Sequence, residues 1–184
     1  MLQNHYHLLS DLYTAFKDKD VRLLKKVNDK SAVLIAVEFD QVIYDVSILS
    51  YILAKLTSKP RFWTNPDSKT RLAQVRLLLK EAADSAKREE TSAVQSAISE
   101  AFEQVKMIES SDRRFISDFE QKARLKLAST LYAQGFSLGN ASSVTGVEKR
   151  EILSYAGKTM MFDRLKSEVR MDERLKRIRK IFKD

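Results

Sequence analysis

Basic and hydroxyl side chains between residues 149 and 158 are suited to contacts with nucleic acid. Lys149 and Arg150 can bind phosphate groups or the acceptor edge of guanine, and Ser154 and Lys158 follow in the same segment. The whole chain of 184 residues contains 33 Lys or Arg against 25 Asp or Glu, a formal net charge of +8. This excess of positive charge favours an anionic partner, with nucleic acid first.

These side chains can act together only if short helices position them. The segment 123–159 predicts a helix that stops at Gly135, a second helix over 138–145, a turn at Gly146, and a third helix from about Glu148. This order is typical of a helix-turn-helix, whose second helix would present the basic side chains to a major groove.

The same segment contains residues suited to close packing between those helices. Small side chains at Ala141 and Ser142 would let two helices approach, while Ile152 and Tyr155 would fill the angle between them. All four glycines of the chain fall here, which predicts tight turns between short helices: Gly135, Gly139, Gly146 and Gly157.

Two positions depart from the usual helix-turn-helix pattern. Glu148 stands where a capping Ser or Thr is common, and it brings a negative charge towards the expected phosphates. Thr145 occupies a position that is usually apolar. A three-helix packing unit that touches no nucleic acid therefore stays open as an alternative.

The segment also resembles a known sequence pattern. The pattern YxxGxSLGxAxxxxGVxxxExxxYxGxT is similar to that of a family of uncharacterised archaeal proteins, and a shorter relative around SLGxAA occurs in an antitoxin-like family of small proteins. The residues that carry the resemblance are Tyr132, Gly135, Ser137, Leu138, Gly139, Ala141, Gly146, Val147, Glu151, Ile152, Tyr155, Gly157, Lys158 and Thr159. The resemblance implies an all-helical fold with a C-terminal helix-turn-helix, a nucleic-acid-binding or antitoxin-type role, and no catalytic residues.

The C-terminal segment is the most basic part of the chain. Residues 158–184 contain ten Lys or Arg and five Asp or Glu, a net charge of +5, on a pattern typical of an amphipathic helix. The alternative to phosphate contact is a solvated helix that docks through its apolar face. The candidate phosphate-binding residues are Arg174, Lys176, Arg177, Arg179 and Lys180.

Other polar residues are weaker candidates for chemistry. Glu38, Asp40 and Asp45 interrupt an apolar stretch, 32–56, that we interpret as one buried core helix starting after a cap at residues 28–31, and they are expected to be structural or solvated. His5 and His7 point to different faces of a helix, so we expect them to be exposed to solvent and to form no metal site. The chain has no Cys. We predict neither an enzyme nor a cofactor.

One loop interleaves a cation with aromatic rings. Arg61, Phe62 and Trp63 follow the apolar stretch, where they could stack on a base or a partner. The alternative is an aromatic lid packed over the core, and this is the commoner use of such a cluster.

The composition completes the prediction of the fold. Four glycines and two prolines with 32% charged residues favour an all-α protein. We predict an N-terminal helical bundle over residues 1–111, and over residues 112–184 a helix-turn-helix domain with a basic C-terminal helix. The predicted function is cytoplasmic DNA binding by a homodimer, as a transcriptional regulator or an antitoxin-like component. The alternative is a non-enzymatic helical protein that binds RNA, a ribonucleoprotein or a protein partner.

Overall fold

Helices account for the regular structure of the chain. The computed structural model describes residues 2–111 and 119–160, and within those ranges the secondary structure contains helices and no strand. The prediction of an all-α protein is therefore confirmed. The helices are α1 Leu2–Lys17, α2 Val21–Val37, α3 Gln41–Thr57, α4 Arg61–Thr64, α5 Pro66–Lys87, α6 Thr91–Ser111, α7 Phe119–Ala133, α8 Leu138–Thr145 and α9 Lys149–Lys158.

One side of α1 is apolar and buried. Leu8, Leu9, Leu12 and Phe16 recur at three- and four-residue steps, and all four lie in the core, where α1 packs on α2, α3 and α5. The helix ends at a turn in which Lys19 has a φ of 55°. This part of the chain follows directly from hydrophobic periodicity.

The apolar stretch 32–56 forms two helices, so the prediction of one long core helix starting after residue 31 was wrong. The chain breaks at residues 38–40, because the carboxylate of Asp40 accepts a hydrogen bond from the Ile43 backbone N–H at 3.0 Å and starts α3. The preceding helix, α2, begins much earlier, at a cap formed by Asp20. Among the helices that the structure describes, none is both long and apolar enough to cross a membrane.

The helices α5 and α6 pack against each other as an antiparallel pair. Asn65 caps α5 by accepting a hydrogen bond from the Ser68 backbone N–H at 3.0 Å, and Pro66 occupies the first helical position. The apolar residues that recur at helical spacing on these two helices are buried, except Phe102, which is half-buried: Leu72, Val75, Leu79, Ala82 and Ala86 on α5, and Val94, Ile98, Ala101, Val105 and Ile108 on α6.

The helix α7 joins the two described parts of the chain. It packs on α3, and its buried Ala123, Leu127 and Leu131 belong to the same apolar core as the residues of α1–α6. The helices α8 and α9 also pack on α7. A domain boundary between residues 111 and 112 stays a prediction.

Candidate nucleic-acid interface

A tight left-handed turn separates α8 from α9. Gly146 ends α8 with a φ of 69°, and its backbone N–H donates to the Ser142 carbonyl at 2.8 Å. The Ser142 hydroxyl donates to the Val147 carbonyl at 2.7 Å, which fixes the residue after the turn to the helix before it. The side chains of Ala141 and Val147 are buried at this junction. The direction of α9 relative to α8 is thus set by both backbone and side-chain bonds.

A second glycine turn ends α7. Gly135 has a φ of 101°, its N–H donates to the Tyr132 carbonyl at 3.0 Å, and the Phe136 N–H donates to the Leu131 carbonyl at 3.0 Å. This pair of bonds is a Schellman motif, in which a left-handed residue follows the last turn of a helix and ends it. Ser137 then caps α8 by accepting from the Asn140 N–H at 3.0 Å.

The helix α9 is amphipathic. Ile152 and Ala156 are buried and Tyr155 is half-buried, and α9 packs on α7 through this side. The four α9 residues predicted to bind nucleic acid are all exposed: Lys149, Arg150, Ser154 and Lys158. The structure therefore leaves these four side chains exposed on a single short helix: Arg150, Ser154 and Lys158 lie on the side away from Ile152, and Lys149 is the first helical residue.

The two departures from the usual pattern have different consequences. Glu148 is the N-cap of α9 but forms no side-chain capping bond, and its carboxylate is exposed. Thr145 is buried, and its hydroxyl donates to the Ala141 carbonyl at 2.7 Å. Since that hydroxyl has a partner, Thr145 is compatible with the interior of the unit.

The four glycines serve two different purposes. Gly135 and Gly146 have positive φ values, whereas Gly139 and Gly157 lie within α8 and α9. A side chain at Gly157 would meet no atom within 4 Å, and at Gly139 it would only contact the Ser137 hydroxyl at 3.8 Å. The two turns of this segment are therefore formed by Gly135 and Gly146, whereas Gly139 and Gly157 are helical residues.

This difference predicts opposite effects of alanine at two glycines. Gly146→Ala is expected to destabilise the protein by about 1–2 kcal/mol, because a Cβ is unfavourable at a positive φ even where space is available. Gly157→Ala is the matched control and should stabilise by up to about 1 kcal/mol, since alanine is the better helix former. Denaturant unfolding of both variants measures the two free energies, and stabilisation by Gly146→Ala would contradict the turn geometry.

The predicted phosphate-binding residues of the C-terminal segment lie outside the described residues. They are Arg174, Lys176, Arg177, Arg179 and Lys180. Their contribution to an interface stays a prediction from charge alone.

The histidines and one carboxylate are structural. His5 is buried rather than exposed, and its Nε2 lies 2.9 Å from the Asp40 carboxylate, which accepts a hydrogen bond from the ring while also capping α3. His7 is exposed. Within the part of the chain that the structure describes, no three His, Asp or Glu side chains are placed to share a metal ion.

Asp45 lies in a separate cleft near α7. Burial raises the pKa of its carboxyl above the usual range, while a hydrogen bond from the Gln41 amide at 2.9 Å and the charge of Arg124 act in the opposite direction. Arg124 itself forms an ion pair with Glu120. Charges of both signs surround Asp45, so the group is a polar contact between α3 and α7.

The cluster of Arg61, Phe62 and Trp63 lies in the short helix α4 and covers the core, so the prediction of a loop at these residues was wrong. Phe62 is buried, and the Trp63 ring packs on Phe16 with ring centroids 6.0 Å apart. Lys19 Nζ lies 4.0 Å from the centre of the Trp63 ring. The cluster is therefore the aromatic lid rather than a stacking platform.

A cleft of about 400 Å³ between α2, α3, α7 and α9 was not predicted from the sequence. Three lysines lie on its walls: Lys25, Lys55 and Lys126. They are far apart along the chain, so no local motif marks them. Only the packing of α7 on α2 and α3 brings them to one place.

Comparisons of the chain with protein families, with curated proteins and with solved structures find no match. The interpretation of α7–α9 therefore depends on its own geometry and charge.

Proposed function

We propose that this protein binds duplex DNA through the exposed side of α9, as a transcriptional regulator or an antitoxin-like component. The observation that carries the proposal is the exposure of Lys149, Arg150, Ser154 and Lys158 on a short helix that follows a left-handed turn. In this interpretation α8 and α9 form a helix-turn-helix, and α9 is the recognition helix.

The geometry of α9 suits entry into a major groove. In helix-turn-helix proteins the N-terminal residues of the second helix contact base edges, and Lys149 and Arg150 are the first two residues of α9. Ser154 is one turn further along the helix, and Lys158 is placed at its C-terminal end. Glu151 belongs to the first turn of α9, and its carboxylate repels phosphate. The attraction of Lys149 and Arg150 for the phosphates must therefore exceed this repulsion.

The first test is the salt dependence of DNA binding. Each phosphate that a protein cation neutralises lowers the slope of log K against log salt by about 0.9, so Lys149, Arg150 and Lys158 predict a slope of about −3 for each bound chain and about twice that for a dimer. Fluorescence anisotropy with a labelled 30-base-pair duplex at several salt concentrations measures it. A duplex RNA and a single-stranded RNA serve as competitors. Binding to RNA alone would favour the alternative of an RNA-binding protein, and no binding to any nucleic acid would contradict the proposal.

We also propose that the protein acts as a homodimer. One helix-turn-helix contacts only a few base pairs, so specific recognition normally uses two of them about one helical turn apart. Exposed apolar side chains on α2 and in the loop after it support an interface with a second copy: Val33 is 53% exposed, Val37 83% and Phe39 51%.

Sedimentation velocity tests the dimer. The wild-type chain is expected to sediment as a dimer, and Val37→Glu is expected to convert it to a monomer, because a charge buried at an apolar interface has no partner. The matched control is Leu77→Glu on α5, where the side chain is 63% exposed, and it should leave the dimer intact. A wild-type monomer, with and without DNA, would contradict the proposal.

A further inference from the structure

The lysine cleft joins the N-terminal helices to the proposed recognition helix. It has a volume of about 400 Å³, and its walls come from α2, α3, α7 and α9. Lys25 is on α2, Lys55 on α3 and Lys126 on α7, while Tyr155 reaches it from α9. Four helices therefore contribute to one concave site.

Positive charge dominates this cleft. Three ammonium groups face a single carboxylate, that of Asp29. Lys25 and Lys55 form no ion pair with any of the residues that the structure describes, whereas nearby Lys30 is paired with Asp11 at 3.0 Å. An anion in the cleft would therefore be attracted by the ammonium groups of Lys25 and Lys55.

Hydroxyl donors lie beside these charges. Tyr51 lines the cleft, and burial of its ring raises the pKa of the phenol to about 12, so the hydroxyl stays protonated in the physiological pH range. Lys55 Nζ lies 5.3 Å from the centre of the Tyr51 ring. Tyr155 is a second tyrosine on the same walls. Ammonium and phenol groups together can bind several oxygens of one anion.

We propose that this cleft binds a phosphate group. A phosphate has enough charge to engage several lysines and enough oxygens to accept from the phenols as well. The group can come from a free phosphorylated molecule or from the backbone of a bound nucleic acid. The proposal stands on the cleft and does not depend on DNA binding by α9.

An occupied cleft would also affect α9. Tyr155 belongs to α9, whereas Lys25, Asn28 and Tyr51 belong to the helices beneath it, so a bound anion contacts both parts at once. Such an anion would hold α9 in the orientation that the structure shows. The site would thereby make the position of the recognition helix dependent on a ligand.

The test uses inorganic pyrophosphate as the probe and the full chain as the protein. Isothermal titration calorimetry at low salt is expected to show one site per chain. Lys25→Gln combined with Lys55→Gln should weaken binding by at least about tenfold, because two of the three cations are lost. The matched control is Lys69→Gln with Lys80→Gln, which removes the same charge from exposed positions on α5 and should change the affinity by less than about twofold.

A second variant tests the phenol without changing the charge. Tyr51→Phe should weaken pyrophosphate binding by about fivefold, the usual value of one hydrogen bond, and leave the fold intact. Amide NMR shifts caused by pyrophosphate should be confined to α2, α3, α7 and α9 around the cleft. Shifts spread over α5 and α6 instead would contradict the site.

Measuring the binding of duplex DNA to the same cleft variant and its control separates the two sources of the phosphate. If pyrophosphate does not bind but the cleft variant weakens DNA binding more than its control, the phosphate belongs to the nucleic-acid backbone. Equal pyrophosphate affinity in the wild type and the cleft variant would overturn the proposal. So would the absence of pyrophosphate binding together with unchanged DNA binding. Pyrophosphate binding without DNA binding would overturn only the proposed function of α9.

Discussion

Reversing the two charges at the start of α9 is expected to weaken binding to duplex DNA by at least about tenfold at fixed salt. The variant is Lys149→Glu with Arg150→Glu. Both side chains are exposed at the first two positions of α9, so the change converts two phosphate attractions into two repulsions. Fluorescence anisotropy with a labelled duplex measures the dissociation constant.

The fold should tolerate this change. Acidic residues at a helix N-terminus interact favourably with the helix dipole, so glutamates at positions 149 and 150 do not oppose the formation of α9. Circular dichroism and the midpoint of thermal unfolding should therefore stay close to those of the wild type.

A charge-matched control separates a local contact from the effect of net charge. Lys69→Glu with Arg76→Glu makes the same change in charge at exposed positions on α5. This control should weaken DNA binding by less than about threefold, because screening limits the reach of distant charges. Equal losses in both variants would indicate non-specific attraction, and an unchanged affinity of the α9 variant would exclude α9 as the interface.

Leu53→Ala is expected to give the largest loss of stability, about 2–5 kcal/mol. Leu53 is fully buried on α3, the helix that packs against α1, α2, α4, α6 and α7. Truncation there leaves a cavity in the core that these helices share, and the neighbouring side chains can collapse into it only in part. Urea unfolding followed by circular dichroism measures the loss.

The same experiment has a leucine control and tests the domain boundary. Leu77→Ala on α5 removes the same atoms from a side chain that is 63% exposed, so it should change stability by less than about 0.5 kcal/mol.

We expect one unfolding transition, since α7 shares its apolar core with α3. Two transitions, with only the first shifted by Leu53→Ala, would support separate domains on either side of residue 111.

Hydrophobic periodicity and caps predicted most helices of the described chain. In α1 and α5 apolar residues recur at helical spacing, and the glycines at 135 and 146 marked the ends of α7 and α8. These signals are local, because a helix needs only one apolar side and a residue that stops it. The exposure of Arg150, Ser154 and Lys158 follows from the same periodicity, as Ile152 and Ala156 on the opposite side of α9 are buried.

The break between α2 and α3 shows where periodicity fails. The stretch 32–56 is apolar on most sides of a helix, because α3 is surrounded by other helices. Its apolar pattern therefore does not show where the chain reverses. The signal that was available is Asp40, a residue favoured at helix starts. Its carboxylate both caps α3 and accepts a hydrogen bond from His5, a contact across 35 positions of the chain.

The sequence by itself determined the all-α class, the excess of positive charge and the helix ends around the two glycine turns. Tertiary structure alone decided the reversal at Asp40, the burial of His5 and the meeting of Lys25, Lys55 and Lys126 around one cleft. The physical reason is the range of the interactions. Helix formation and capping act over a few residues, whereas a cleft depends on how separate helices pack, and that is fixed by the shapes of all their buried side chains together.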